Sequence, residues 1–204
     1  MGNVNIQALL FLYIIVVLSS VLHEYAHAWV AFRQGDLTAK YAGRLTLNPI
    51  AHLDLWGTVL MPLLLLFFFG AFFGYAKPVP INPYNFKNQR SGIIWVSIAG
   101  VGANFLIALL LGLFVHFSPD FSLNPFLGLI VLVNIWLGLF NLLPFPPLDG
   151  SKLLMAAVDY RGGGRFASFI ALASTPFGIL IAILVAMTFL PYVSNLLFRL
   201  IIGG

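Results

Sequence analysis

Apolar and uncharged residues fill five long stretches of the chain, 1–22, 55–76, 91–119, 121–148 and 166–198, and the charged residues gather between them. A membrane-crossing helix takes about 20 such residues, so each stretch is long enough to hold one. Proline and glycine set the expected limits. Pro62, Gly70 and Gly74 interrupt the second stretch, Pro144, Pro146 and Pro147 end the fourth, and Pro176 is expected to kink the fifth. "RGGGR" at 161–165 reads as a flexible turn, and no internal repeat or low-complexity linker is present.

The basic residues turn this pattern into a topology. Arg33, Lys40, Arg44, Lys77, Lys87, Arg90, Lys152, Arg161 and Arg165 lie in three loops, and the short connection around Asp120 has none. Basic loops stay on the cytoplasmic side of a membrane, which puts those three on one side and Asp120 on the other. A full crossing by 55–76 would break that arrangement, because the loops before and after it are both basic. Either the stretch is re-entrant or broken, or the extended run that follows it returns through the protein interior, with a plain five-span bundle as the alternative. "KPVPINP" at 77–83 carries three prolines in seven residues and reads as extended backbone. Such backbone survives at membrane depth only against protein or a water-filled cavity. The expected fold is an all-α polytopic membrane protein: a compact bundle of four to five transmembrane helices with a re-entrant or extended segment beside a polar cavity.

Composition supports and narrows this reading. The 204 residues are 61% hydrophobic and only 8% charged, against about a quarter charged in soluble domains. That length fits a single transmembrane domain, 1–204. "MGNVNIQ" lacks the basic region and cleavage site of a signal peptide, so the first apolar run is expected to be retained. With no cysteine, thiolate zinc ligands, disulfides and a cysteine nucleophile are excluded. The net charge of +4 reflects loop orientation, and no basic cluster interleaved with aromatics points to nucleic acid.

Against this background "VLHEYAHAWVAF" at 21–32 is anomalous, because it sets two histidines and a glutamate at the end of an apolar helix. Burying such groups in hydrocarbon costs several kcal/mol unless something binds them. On a helix His23 and His27 share a face at i and i+4, a spacing that lets two imidazoles hold one Zn²⁺ with Glu24 beside the metal to act on water. A third protein ligand is then needed. Asp36, Asp54, Asp120, Asp149, Asp159, His52 and His116 are the candidates. Asp36 and Asp159 lie in basic loops, where solvated charge is the expected role, and Asp120 and His116 fall near the opposite face. Asp149 stands out because "NLLPFPPLDG" follows an apolar helix that ends on the basic side; His52 and Asp54 are held in reserve.

Three motifs, HEYAH at 23–27, "AGVGAN" at 99–104 and "NLLPFPPLDG" at 141–150, resemble the signatures of the site-2 protease family, peptidase family M50. That pattern is HExxH, then GxxxN, then NxxPxPxLDG, and "GRLTLNPIAHLDLWGT" and "AKPVPINP" resemble its small prokaryotic members without a PDZ domain. The resemblance implies His23, His27 and Asp149 as zinc ligands and Glu24 as general base. It gives Asn141 and Asn104 the task of holding substrate backbone or stabilising the oxyanion. Val101 stands where many members have proline, and the spacing from Gly100 to Asn104 is intact.

The implied function is intramembrane zinc metalloproteolysis: hydrolysis of a peptide bond in or near the transmembrane segment of a membrane-protein substrate, as in regulated intramembrane proteolysis. The implied partners are one Zn²⁺, that substrate and the lipid bilayer, with no nucleic acid. The implied location is a prokaryotic cytoplasmic membrane with the site toward the cytoplasm. The 77–83 run would either pair with an unwound substrate by strand addition or form a rigid cavity wall. The alternatives are a non-proteolytic zinc-binding membrane protein or a metal transporter, and a structural scaffold. A transporter would carry polar groups at several depths, whereas here the candidate ligands collect on one side.

Overall fold

A computed structural model describes residues 6–69, 76–158 and 172–203. Seven α-helices are described: α1 (Ile6–Arg33), α2 (Thr38–Tyr41), α3 (Met61–Phe69), α4 (Gln89–Phe117), α5 (Asn124–Asn141), α6 (Asp149–Ala157) and α7 (Pro176–Ile202). The described residues contain no strand. Four helical segments are long and apolar enough to cross a membrane, Gln7–Arg33, Gln89–Phe117, Asn124–Asn141 and Leu180–Ile202. This is the expected all-α bundle.

The helices start and stop for local reasons. Asn88 caps α4 by accepting from Ser91 N, and Pro125 occupies the first turn of α5, where a missing N–H costs nothing. Thr175 caps α7 by accepting from Gly178 N. Pro176 therefore begins a helix rather than kinking one, because its fixed φ suits a first turn. The proline inside α7 is Pro191. Sequence reading also took 149–157 as loop, yet it forms α6. Asp159 and "RGGGR" lie outside the described residues, as do Gly70 and Gly74.

The second apolar stretch behaves as its flanking charges require. A π-helix, Leu55–Leu60, leads into α3, whose second residue, Pro62, lacks an N–H to give back to the preceding turn. Lys77 N then donates to His52 O at 2.9 Å. His52 and Lys77, on either side of the excursion, thus meet at one place, and among the described residues no further helix is long and apolar enough to cross.

Helix α4 is the hub, packed against α1, α5, α6 and α7. At one end Ala108, Val131 and Ile135, fully buried, join α4 to α5, with Leu197, Phe198 and Ile201 of α7 against them. Toward the other end Ala31, Phe86 and Val96 bind α1 and α4 to the segment that precedes α4. Small residues let the helix axes approach where no water is present to drive association. On α1, Leu10, Ile14, Leu18 and Leu22 form an exposed i+4 stripe, while Ser19, His23 and His27 face inward and are buried. An apolar outside with a polar inside is what hydrocarbon surroundings select.

Candidate metal centre

His23 and His27 sit one turn apart on α1 with ring centroids 4.5 Å apart and planes at 88°. Their Nε2 atoms are 2.9 Å from each other. Asp149, the first residue of α6, places Oδ2 3.1 Å from His23 Nε2 and 2.9 Å from His27 Nε2. All three side chains are buried. Among the described residues they are the one group of His, Cys, Asp and Glu whose ligand atoms converge.

Two glycines make the convergence possible. A Cβ on Gly100 would lie 2.4 Å from His27 Nε2 and 2.7 Å from His23 Cε1, so only a bare backbone lets α4 back onto both rings. A Cβ on Gly150 would lie 2.1 Å from Leu142 O, so Asp149–Gly150 can seat the start of α6 against the end of α5.

The other ring nitrogens decide what the Nε2 atoms can do. His27 Nδ1 lies 2.6 Å from Val96 O, and His23 Nδ1 lies 2.7 Å from Asn104 Oδ1. Both partners are acceptors, so both Nδ1 atoms donate. The neutral rings then turn Nε2 lone pairs toward each other and toward a carboxylate oxygen. Three lone pairs within 3.1 Å of one another repel unless a cation lies between them. A tetrahedral ion with bonds of about 2.0–2.1 Å separates its ligand atoms by about 3.3 Å, so two imidazoles and one carboxylate of this spacing fit zinc. Hydrogen-bonded partners on the far ring nitrogens are the usual support of such ligands.

Asp149 is held from its other side, where Lys152 Nζ donates to Oδ1 at 2.9 Å. The buried carboxyl is favoured in its ionised form by the Lys152 ammonium at this distance. It stays ionised and presents Oδ2 to the centre.

Glu24 lies beside the ligands, half-buried, and its Oε2 accepts from Val79 N at 2.8 Å. Val79 belongs to the extended run, whose side chain packs on Ala28 and Ala39. The run is anchored along its length: Lys77 N to His52 O, Arg44 Nη2 to Lys77 O, and Asn82 N to Asp36 Oδ2. Asp36 is not solvated as expected but fully buried, because it also accepts from Thr38 and Asn85.

The remaining candidates are placed elsewhere. Asn104 is fully buried behind His23 and donates through Nδ2 to Asn134 Oδ1. Asn141 ends α5 and donates to Leu137 O, with no hydrogen bond to the three ligands. His52 pairs with Thr46 O, Asp54 caps the π-helix through Gly57 N, and His116 meets Ile202 O at the other end of the bundle. Sequence reading missed Asn134, Lys152, the Val96 carbonyl and the Val79 N–H. Asn134 had a signal, an amide inside an apolar helix, and Lys152 had another, its i+3 spacing from Asp149. The two backbone groups had none.

The family model for peptidase family M50 matches residues 118–187. YwhC of Bacillus subtilis, provisionally named a zinc metalloprotease, is 39% identical over 186 residues, 82% of each chain. The chain belongs to peptidase family M50. Other relatives are Rip2 of Mycolicibacterium smegmatis, provisionally named a zinc metalloprotease, and a zinc metalloprotease of Methanocaldococcus jannaschii. The first is 34% identical over 65% of this chain and 51% of its own length, the second 28% identical over 80% and 38%. No solved structure gives a significant match.

Proposed function

We propose that this M50 member is a zinc metalloprotease that cleaves a peptide bond in or near a transmembrane segment of another membrane protein. The observation that carries the reading is the buried triad of His23, His27 and Asp149 with Glu24 at its side. His23, His27 and Asp149 would hold the zinc, which would supply Lewis acidity and lower the pKa of a water toward neutrality. Glu24 accepts the water proton and returns it to the leaving amide nitrogen. Oε2 is steadied by Val79 N–H, so the carboxylate is aimed before substrate arrives. Asn104 acts through His23, to which its amide oxygen is committed. Asn141 keeps a second amide hydrogen for substrate carbonyl oxygen.

The depth of the centre supports an intramembrane site. His27 and His23 lie six and ten residues before Arg33 on α1, and Gly100, close to both rings, lies ten after Arg90 on α4. At about 1.5 Å per residue the centre sits about 9 to 15 Å inside the basic helix ends, within a hydrocarbon core of about 30 Å. The three basic loops and the prokaryotic sources of the relatives favour a prokaryotic cytoplasmic membrane with the site toward the cytoplasm. For the extended run, the cavity-wall role is favoured over strand addition. Pro78 and Pro80 offer no N–H, and those of Lys77, Val79 and Asn82 are already spent inside the protein.

Reconstitution with a single-span substrate tests the proposal. Glu24→Gln should abolish cleavage while metal analysis still finds one zinc per chain. Continued cleavage by that variant would remove Glu24 from the mechanism, and a wild-type protein without zinc would overturn the centre itself.

A further inference from the structure

Behind His23 a chain of buried amides crosses three helices. His23 Nδ1 meets Asn104 Oδ1 on α4 at 2.7 Å. Asn104 Nδ2 donates to Asn134 Oδ1 on α5 at 3.0 Å, and Asn134 Nδ2 donates to Ser19 Oγ on α1 at 3.0 Å. Asn104 and Asn134 are completely buried, and Ser19 and His23 nearly so. Asn134 Nδ2 also donates to Ile130 O, one turn earlier on its own helix, at 2.9 Å.

That last contact gives the chain its direction. An amide can face a neighbour with either end, and a hydroxyl such as Ser19 can serve either end. A backbone carbonyl can only accept. Ile130 O therefore forces Asn134 to turn Nδ2 toward it and Oδ1 toward Asn104. Asn104 must answer with Nδ2, which leaves Oδ1 facing His23. His23 in turn must carry its hydrogen on Nδ1, so the lone pair is on Nε2, the atom that converges with His27 Nε2 and Asp149 Oδ2. Reversing any amide would set N–H against N–H or oxygen against oxygen in a buried site, at the full cost of unsatisfied groups.

We infer that Asn134, anchored on the Ile130 carbonyl, is a positioning residue that sets the direction of the Asn104 amide and so presents the Nε2 lone pair of His23 to the metal. The inference rests on the reading of His23, His27 and Asp149 as a metal centre. It assigns no chemistry on substrate to Asn134. It also separates the two ends of the chain: Ile130 O is the anchor, and Ser19, able to donate or accept, follows.

The experiment is zinc affinity of the purified full chain in detergent, by competition with a chelator, beside thermal stability of the same samples. Asn134→Leu removes the acceptor for Asn104 Nδ2 and should weaken zinc binding about 10- to 100-fold, the usual effect of losing a partner behind a ligand. Asn134→Asp, ionised or neutral, still offers an oxygen to Asn104 Nδ2 and should bind zinc within about threefold of wild type. Its stability should nevertheless fall below that of Asn134→Leu, because it buries a carboxyl group. Ser19→Ala should leave affinity within about threefold, since the Ile130 carbonyl remains.

A purely structural Asn134 would give the reverse, affinities that follow stabilities, and that order would overturn the inference. So would wild-type affinity in folded Asn134→Leu. Should Asn134→Leu fail to fold, Asn134→Ala removes the same acceptor without added bulk and carries the same expectation. A wild-type chain that holds no zinc would sink the metal-centre reading and this inference with it. Zinc bound to wild type but indifferent to Asn134→Leu would sink the inference alone.

Discussion

Gly100 shows how one missing side chain sets a site. Both imidazoles occupy the space a side chain there would need, and its first atom would stand 2.4 Å from His27 Nε2. Gly100→Ala should therefore displace the rings and lower zinc affinity by at least about tenfold, as read by metal content after dialysis, while the helical circular dichroism stays intact. Asp149→Ala removes a ligand outright and should empty the centre; unchanged zinc content would take Asp149 out of the ligand set. Lys152→Ala leaves Asp149 Oδ2 in place and frees only Oδ1. Because Lys152 is about half exposed, with side-chain accessibility of 51%, its loss should cost less zinc affinity than either of the other two changes.

At the scale of elements, the extended run is built by its anchors rather than by its own hydrogen bonds. Asp36 is the anchor at its far end, with bonds from Asn82 N, Asn85 Nδ2 and Thr38. Burial would raise its pKa, but the hydrogen bonds from Thr38, Asn82 and Asn85 outweigh it and hold the carboxyl below its ordinary value of 3.8. A depressed folded pKa contributes stability above the unfolded value, and that contribution is lost as pH falls through the folded one. Asp36→Ala should cost about 2–4 kcal/mol near neutral pH by leaving several donors unsatisfied. The gap to wild type should close as the pH drops below about 3.8; a gap that stays constant in thermal unfolding across that range would refute the assignment. The run that Asp36 anchors at Asn82 also carries Val79, whose N–H holds Glu24 Oε2, so Asp36→Ala should also slow cleavage more than it lowers zinc content.

At the scale of the whole molecule, topology follows from where the excursion 55–76 closes. Lys77 N on His52 O brings the two ends of the excursion together, and the Asp120 connection follows the far end of α4, so the loops that flank the excursion are expected on one side and Asp120 on the other. The chain has no cysteine, so single introduced thiols report cleanly. Leu47→Cys and Tyr84→Cys, both at exposed positions, should label from one side of sealed vesicles and Asp120→Cys from the other. Leu47 and Tyr84 labelling from opposite sides would require a fifth crossing.

Much of this was legible in the chain itself. Hydrocarbon demands long uncharged helices, basic residues record orientation, and both signals are local, so the four crossings and the irregular second stretch could be read directly. The i and i+4 histidines and the LDG turn were equally plain, because ligand chemistry needs particular residue types at fixed spacing. The sequence alone could not tell Asp36 from a solvated loop charge, Pro176 from a kink, or 149–157 from a loop, since each depends on partners far along the chain. Nor could it say what Asn104 faces. Its 0% exposure and its bonds to His23 and Asn134 exist only because α1, α4 and α5 pack together. Residue types and spacing thus marked which side chains could hold a metal together. Tertiary packing decided which atoms carry the lone pairs, because hydrogen-bond direction is a property of neighbours that meet only in the folded chain.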